Sequence, residues 1–314
     1  MSEYFGSGDF LFEYIPNWAK LPAGWNFVES PGVAIDSQDN VYVLTRGQHP
    51  IIVFNREGDF LRSFGEGLFT DRTHGLAIAH DDSLLAVDDG LHTIQKFSPD
   101  GELLLEVGNR NAPSPKWSGR PFNRPTSAAI MPSNGDIYIT DGYGNAAVHI
   151  FSSAGLYKRS WGSSGSDAGQ FIRPHNVIID NEELVYIVDR ECHRIQVFDS
   201  QGTFITMWNN IHRPDSMVLW DKHMYIGELN GIVGVDDAPG LGHRVSIYDL
   251  HGNLVCRFGT PEEGEGPGQF IAPHGIAVDS RGDLYVSEVS YTIRGSKLNP
   301  PRELRSLSKY RRVR

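Results

Sequence analysis

One unit recurs six times along this chain of 314 residues, and it leaves little freedom of fold. From Gly169 to Phe198 it reads GQFIRPHNVIIDNEELVYIVDRECHRIQVF: an apolar strand opened by Arg-Pro-His, a polar turn, a second strand ending in Asp189 and Arg190, then a third alternating run. Variants read RPTSAAIMPSNGDIYITDGYG from Arg124 and APHGIAVDSRGDLYVSEVSY from Ala272. The copies open near Pro31, Thr73, Pro125, Pro174, Pro214 and Pro273, at intervals of about 40 to 60 residues. Each holds a first strand (GVAID, GLAIA, SAAIM, NVIID, SMVLW, GIAVD) and a second (NVYVL, SLLAV, DIYIT, LVYIV, HMYIG, DLYVS). Most add a third, and a fourth after Asp-Gly or an equivalent turn.

Four short antiparallel strands per repeat are the mark of a propeller blade. Six repeats therefore predict an all-β fold, a six-bladed β-propeller spanning 1–314 as a single domain. The sixth copy has no fourth strand of its own, and an orphan strand, FLFEYIP, stands before the first repeat. Placed on the last blade, this closing strand over 9–15 completes the ring and leaves no sheet edge bare.

Strand polarity puts the start of strand one, the end of strand two and the links between blades on one face, where function is expected to gather. The first residues of strand one form a ring: Gly32, His74, Thr126, His175, Asp215 and His274. Histidine holds every second position, so three imidazoles are expected to meet on one spot with a coordination position left open. The competing reading is three unconnected histidines bonding water; with 12 His in the chain, this alternation arises by chance on the order of once in a thousand. Such a triad suits zinc, and also iron, cobalt, nickel or copper.

Further out, the ends of strand two carry Arg46, Asp88, Asp89, Asp141, Tyr143, Asp189, Arg190, Glu228 and Glu288. Arg46 and Arg190 suit a substrate carboxylate, which a guanidinium binds in bidentate fashion. A structural ion pair with Asp88 or Asp189 is the rival role for either. Tyr143, in DGYGN, can serve as general base beside a cation, or simply pack. Asp215 suits a fourth ligand, a base, or an ion pair with Arg213. Glu228 opens a Gly- and Asp-rich loop that either caps the mouth or is a plain insertion.

Composition narrows the partners. With Lys+Arg 28 against Asp+Glu 39, the net charge of −11 argues against nucleic acid. The cluster from Lys309 to Arg314 reads as a solvated tail. Cys192 and Cys256 occupy non-equivalent positions and read as plain thiols. No apolar run approaches the ~18 residues of a membrane span, and the N-terminus has no basic-then-apolar leader, so a cytoplasmic chain is expected.

AGQFIRPHNV and PGQFIAPHGI resemble the NHL-repeat propellers, and from Pro31 to about Ser290 the chain resembles the lyase domain of the peptidylglycine α-amidating enzymes. That resemblance implies a zinc held by His74, His175 and His274, a catalytic Tyr143, and active-site arginines at Arg46 and Arg190. It implies cleavage of a peptidyl-α-hydroxyglycine to an amide and glyoxylate, with a peptide-derived or small substrate carrying a carboxylate. The family also holds a structural calcium with an acidic residue after its third histidine; here Gly275 stands there, so calcium is left open, and Ala272 replaces a pocket methionine. Two alternatives stand beside the lyase: a metal-dependent hydrolase of a small ester, lactone or amide, and a non-catalytic NHL scaffold for a protein partner.

Overall fold

The second strand of each repeat is apolar on both faces, so it is stable only when neighbouring sheets cover both. In a computed structural model describing residues 3–313, every residue of Val41–Leu44, Ile137–Asp141 and Val185–Asp189 is buried. Fourth strands such as Phe204–Trp208 and Tyr157–Trp161 are wet on one side. Each blade thus grades from a dry interior to a polar edge.

Six sheets form, with first strands Gly32–Ile35, Thr73–Ile78, Ser127–Ile130, Pro174–Ile179, Pro214–Trp220 and Pro273–Val278. Blades one to five are four-stranded meanders in chain order. These sheets fall into two compact units, residues 65–214 with blades two to four, and 1–64 with 215–314 holding blades one, five and six. In the first unit Tyr138, Val148, Phe171, Val177, Ile187 and Phe198 pack as one cluster drawn from blades three and four. In the second, Phe12, Tyr225, Ile247, Phe258, Phe270 and Tyr310 do the same for blades five and six.

Blade six takes its outer strand from the N-terminus as expected: Phe10–Ile15 pairs antiparallel with Leu307–Arg312. That pairing corrects the reading of Lys309–Arg314 as a solvated tail. Leu307–Arg312 is the third strand of the blade, with Lys309 and Tyr310 buried, because strand two, Leu284–Glu288, needs a partner; Arg314 lies outside the described residues. A further strand, Tyr4–Ser7, pairs with Phe10–Ile15 and was not legible in the sequence.

Carboxylates set the two ends of the blades. Where strand one turns into strand two, Asp36, Asp180 and Asp279 each accept two backbone amides of the turn and a tyrosine hydroxyl from strand two. At the other end, the last residue of strand two pins the link that leads into strand one. Asp189 accepts the amides of Ile172 at 3.0 Å and Arg173 at 2.9 Å, Glu288 those of Ile271 and Ala272, Asp88 that of Thr70, and Asp141 that of Asn123. These four acids are staples that hold the chain just upstream of His74, Thr126, His175 and His274. No helix among the described residues is long and apolar enough to cross a membrane.

Candidate active site

The histidines owe their orientation to a local irregularity. In blade four Pro174 pairs with Asp189 and Asn176 with Val188, so His175 is an extra residue bulged out of the ladder. Blade two has one extra residue between Thr73 and Leu76, and blade six has His274 bulged between Pro273 and Gly275. The first strands of blades one and three, which carry no ring histidine, run in regular register. A bulge turns a side chain out of the alternation and re-aims it.

Within residues 65–214, the imidazoles of His74 and His175 are buried with ring centroids 4.8 Å apart. Nδ1 of His74 donates to the carbonyl of Thr126 at 2.6 Å. A carbonyl only accepts, so the proton sits on Nδ1 and Nε2 is presented as a lone pair. Tyr143 Oη lies 2.9 Å from that Nε2 and 3.1 Å from Nε2 of His175. One phenol proton can serve only one of the two at a time.

Around Tyr143 the charge is strongly positive. The guanidiniums of Arg124, Arg173 and Arg190 stand 4.7, 5.3 and 5.6 Å from its ring centroid. Glu191 is shared by Arg190, Arg213 and Arg173, and Asp89 by Arg72 and Arg124. Five cations thus face two carboxylates. Burial pushes the Glu191 carboxyl up, but those arginines outweigh it and hold it at about 2. Arg173 is pushed down from the usual arginine value by burial and then by Arg190, and its Nε is buried without an acceptor. An anion placed there would relieve both.

The second unit holds the remaining candidates. Nδ1 of His274 donates to the carbonyl of Pro31 at 2.7 Å, the same device as at His74, and its Nε2 lies 3.6 Å from Asp215. Arg46 is engaged by Glu29 at 2.6 Å and by Thr292, the structural ion pair with a different acid from those expected.

The comparisons agree with this architecture. Residues 127–231 match a family described as a 6-bladed beta-propeller. Human NHL repeat-containing protein 3 is 28% identical over 89% of this chain and 82% of its own length. The chain is an NHL-type six-bladed β-propeller. Drosophila peptidyl-alpha-hydroxyglycine alpha-amidating lyase 1 is 30% identical over 69% of this propeller, a match spanning 42% of the fly protein. A solved streptogramin B lyase shares the fold at a TM-score of 0.61, with 11% identity, over 98% of this chain and 97% of that one.

Two features of the propeller escaped the sequence reading. Arg72, Arg124, Arg173 and Arg213 stand two residues before the ring position in four consecutive blades, as in RTH, RPT, RPH and RPD. That recurrence was the available signal for the arginine cluster. Glu191 had none. Glu228 is no part of a cap: fully buried, it accepts from Arg244 at 2.8 and 3.0 Å and from Ser246. Arg213, expected beside Asp215, donates to Glu191 at 3.0 Å. At position 275 a Cβ would meet Ser287 Oγ at 2.3 Å and the Val33 nitrogen at 2.9 Å, so the family's acidic residue has no room there.

Proposed function

We propose that this propeller is a metal-dependent lyase acting on an α-hydroxyglycine-like carbinolamide, with His74, His175 and His274 holding one divalent cation, zinc first among them. The observation that carries this reading is Tyr143 Oη set between two imidazole Nε2 atoms under three guanidiniums. The donor set suits zinc: His74 and His274 each fix the Nδ1 proton on a backbone carbonyl, as metal-bound histidines do, and His274 joins by the same bulge and the same blade alternation. When bound, zinc would supply Lewis-acid polarisation of a substrate oxygen.

The chain's own residues supply the remainder. Arg173 and Arg190 bind the substrate carboxylate and hold its α-carbon near Tyr143; Arg46, proposed for that role from its place at the end of strand two and from the resemblance, is paired with Glu29. Tyr143 removes the hydroxyl proton, the oxygen's electron pair forms the carbonyl, and the C–N bond breaks with its pair left on nitrogen. That nitrogen takes up the proton that Tyr143 removed, so amide and glyoxylate form without water or any redox partner and Tyr143 ends as it began.

The test is release of glyoxylate from α-hydroxyhippurate by zinc-loaded protein, with His175→Ala as control. Protein that holds one zinc yet releases no glyoxylate would sink the lyase reading. A second reading, a scaffold for a protein partner, is favoured by the loop at 230–242, where Val233 and Val235 are 86% and 76% exposed. A scaffold needs no stoichiometric metal lost on His175→Ala, so metal content separates the two.

A further inference from the structure

The five guanidiniums near Tyr143 fall into two groups, each tied by its own acid. Asp89, just after strand two of blade two, is shared by Arg72 and Arg124; Glu191, just after strand two of blade four, is shared by Arg173, Arg190 and Arg213. Blade three, which carries Tyr143, packs against both of these blades. Arg124 from the first group and Arg173 and Arg190 from the second all reach the Tyr143 ring. In the lyase reading the second group takes the substrate α-carboxylate, and the first has no part.

The first group carries a surplus of charge. Asp89 is fully buried and sets one negative charge against two positive ones. His92, whose Nδ1 accepts the amide of Arg124, is held below the ordinary imidazole value by burial and stays neutral at pH 7. Asp71 is exposed, forms no ion pair among the described residues, and acts on Arg72 only weakly across solvent. Arg72 spends Nε and Nη2 on Asp89, at 2.7 and 2.8 Å, and Arg124 spends Nη2 alone, at 3.0 Å. Nη1 of Arg72 and both Nε and Nη1 of Arg124 have no protein acceptor among the described residues. Their side chains are 42% and 40% exposed, with these nitrogens open to solvent, so they can meet a ligand.

We propose that Arg72 and Arg124 bind a second carboxylate of the substrate, an inference that rests on the lyase reading and narrows it to peptides with Asp or Glu directly before the α-hydroxyglycine. One carboxylate cancels the single surplus charge, whereas a doubly charged phosphate would turn the group negative. Arg124 and Arg190 lie 4.7 and 5.6 Å from one ring centroid, so at most about 10 Å separates them, the span of some three extended residues. An acidic side chain next to the hydroxyglycine covers such a gap while the α-carboxylate stays with Arg173 and Arg190. A neutral side chain leaves the donors of Arg72 and Arg124 to water.

Acetyl-Glu-Gly and acetyl-Gln-Gly are matched probes, alike in shape and unreactive because their glycine carries no hydroxyl, so their binding is read apart from turnover. Isothermal titration into the zinc-loaded full chain should show acetyl-Glu-Gly binding about tenfold tighter, with the difference shrinking as salt rises. Arg72→Gln and Arg124→Gln should each bring the ratio close to one, because either change removes the surplus charge. Each leaves Asp89 paired with the other arginine, and thermal melts check the fold. Glyoxylate release from the two corresponding hydroxyglycine peptides forms a second arm, with kcat/KM higher for the Glu peptide. Equal affinity for the two probes, or a preference that survives both substitutions, would overturn the proposal. Equal kcat/KM for the two peptides would also overturn it and leave the lyase standing. Tighter binding of acetyl-Glu-Gly with no glyoxylate from either peptide would keep the two arginines as a carboxylate subsite and reject the lyase.

Discussion

Replacing Tyr143 by Phe removes one oxygen and little else. Its Oη reaches Nε2 of His74 at 2.9 Å and of His175 at 3.1 Å, while the ring is held by the guanidiniums of Arg124, Arg173 and Arg190. Phe keeps the ring and those contacts, so the loss to stability is one hydrogen bond, on the order of 1 kcal/mol. The loss to catalysis is far larger if the phenol is the base. General-base catalysis is worth about 10²- to 10⁴-fold, or roughly 3–5 kcal/mol of barrier. The expected result is therefore a fall of that size in kcat for glyoxylate release, with zinc content and KM nearly unchanged because the histidines and arginines remain. Stopped assays of glyoxylate with α-hydroxyhippurate, run beside metal analysis and thermal melts, read all four quantities. If Tyr143→Phe keeps more than about a tenth of the wild-type kcat, Tyr143 is not the base, and a hydrolase that activates water at the cation becomes the better reading.

Other outcomes follow from the same geometry. Asp189→Ala removes a fully buried carboxylate that holds two linker amides and pairs with Arg194 at 3.0 Å, leaving that buried guanidinium with only the carbonyls of Ser166, Asp167 and Gln170; chemical denaturation should show a loss of about 3–5 kcal/mol. Glu191, held at about 2 against an ordinary 4.5, adds stability that is complete above pH ~5 and fades as pH falls toward 2. Glu191→Gln should accordingly be less stable than wild type by about 3 kcal/mol at pH 7 and should converge with it in acid melts; a gap that persists at pH 2 refutes the assignment. Gly275→Asp should cost about 2–4 kcal/mol and confer no calcium-dependent rise in Tm, since its side chain has no space beside Ser287 and Val33.

Much of the fold was legible because a propeller is a local code repeated. The apolar strands, the Asp turns and the two-residue alternation each act within a dozen residues, so all six blade starts fall within two residues of the proline or threonine that announced them. The closing strand was legible by subtraction, since one blade was short and one strand was spare. Leu307–Arg312 was not, because KYRR is a polar string whose Lys309 is dry only once it meets the carbonyl of Arg56 and the rings of Trp18 and Tyr285. The ring histidines were visible as an alternation. Of the three arginines over Tyr143, Arg190 was read at the end of strand two, whereas Arg124 and Arg173 were visible only as a recurrence that carried no meaning until the blades were packed.

The amino-acid order alone thus determined how many blades there are, where each begins, and which ring positions carry imidazole, since strand period and turn chemistry are short-range. Packing decided everything that depends on direction. The extra residue at each histidine-bearing strand re-aims a side chain, and the acids at the ends of strand two were turned from candidate chemistry into anchors. Five guanidiniums sharing Asp89 and Glu191 left a surplus of positive charge beside one phenol. These outcomes rest on contacts between residues tens of positions apart, where hydrogen-bond partners and charge balance exist only after the sheets have come together.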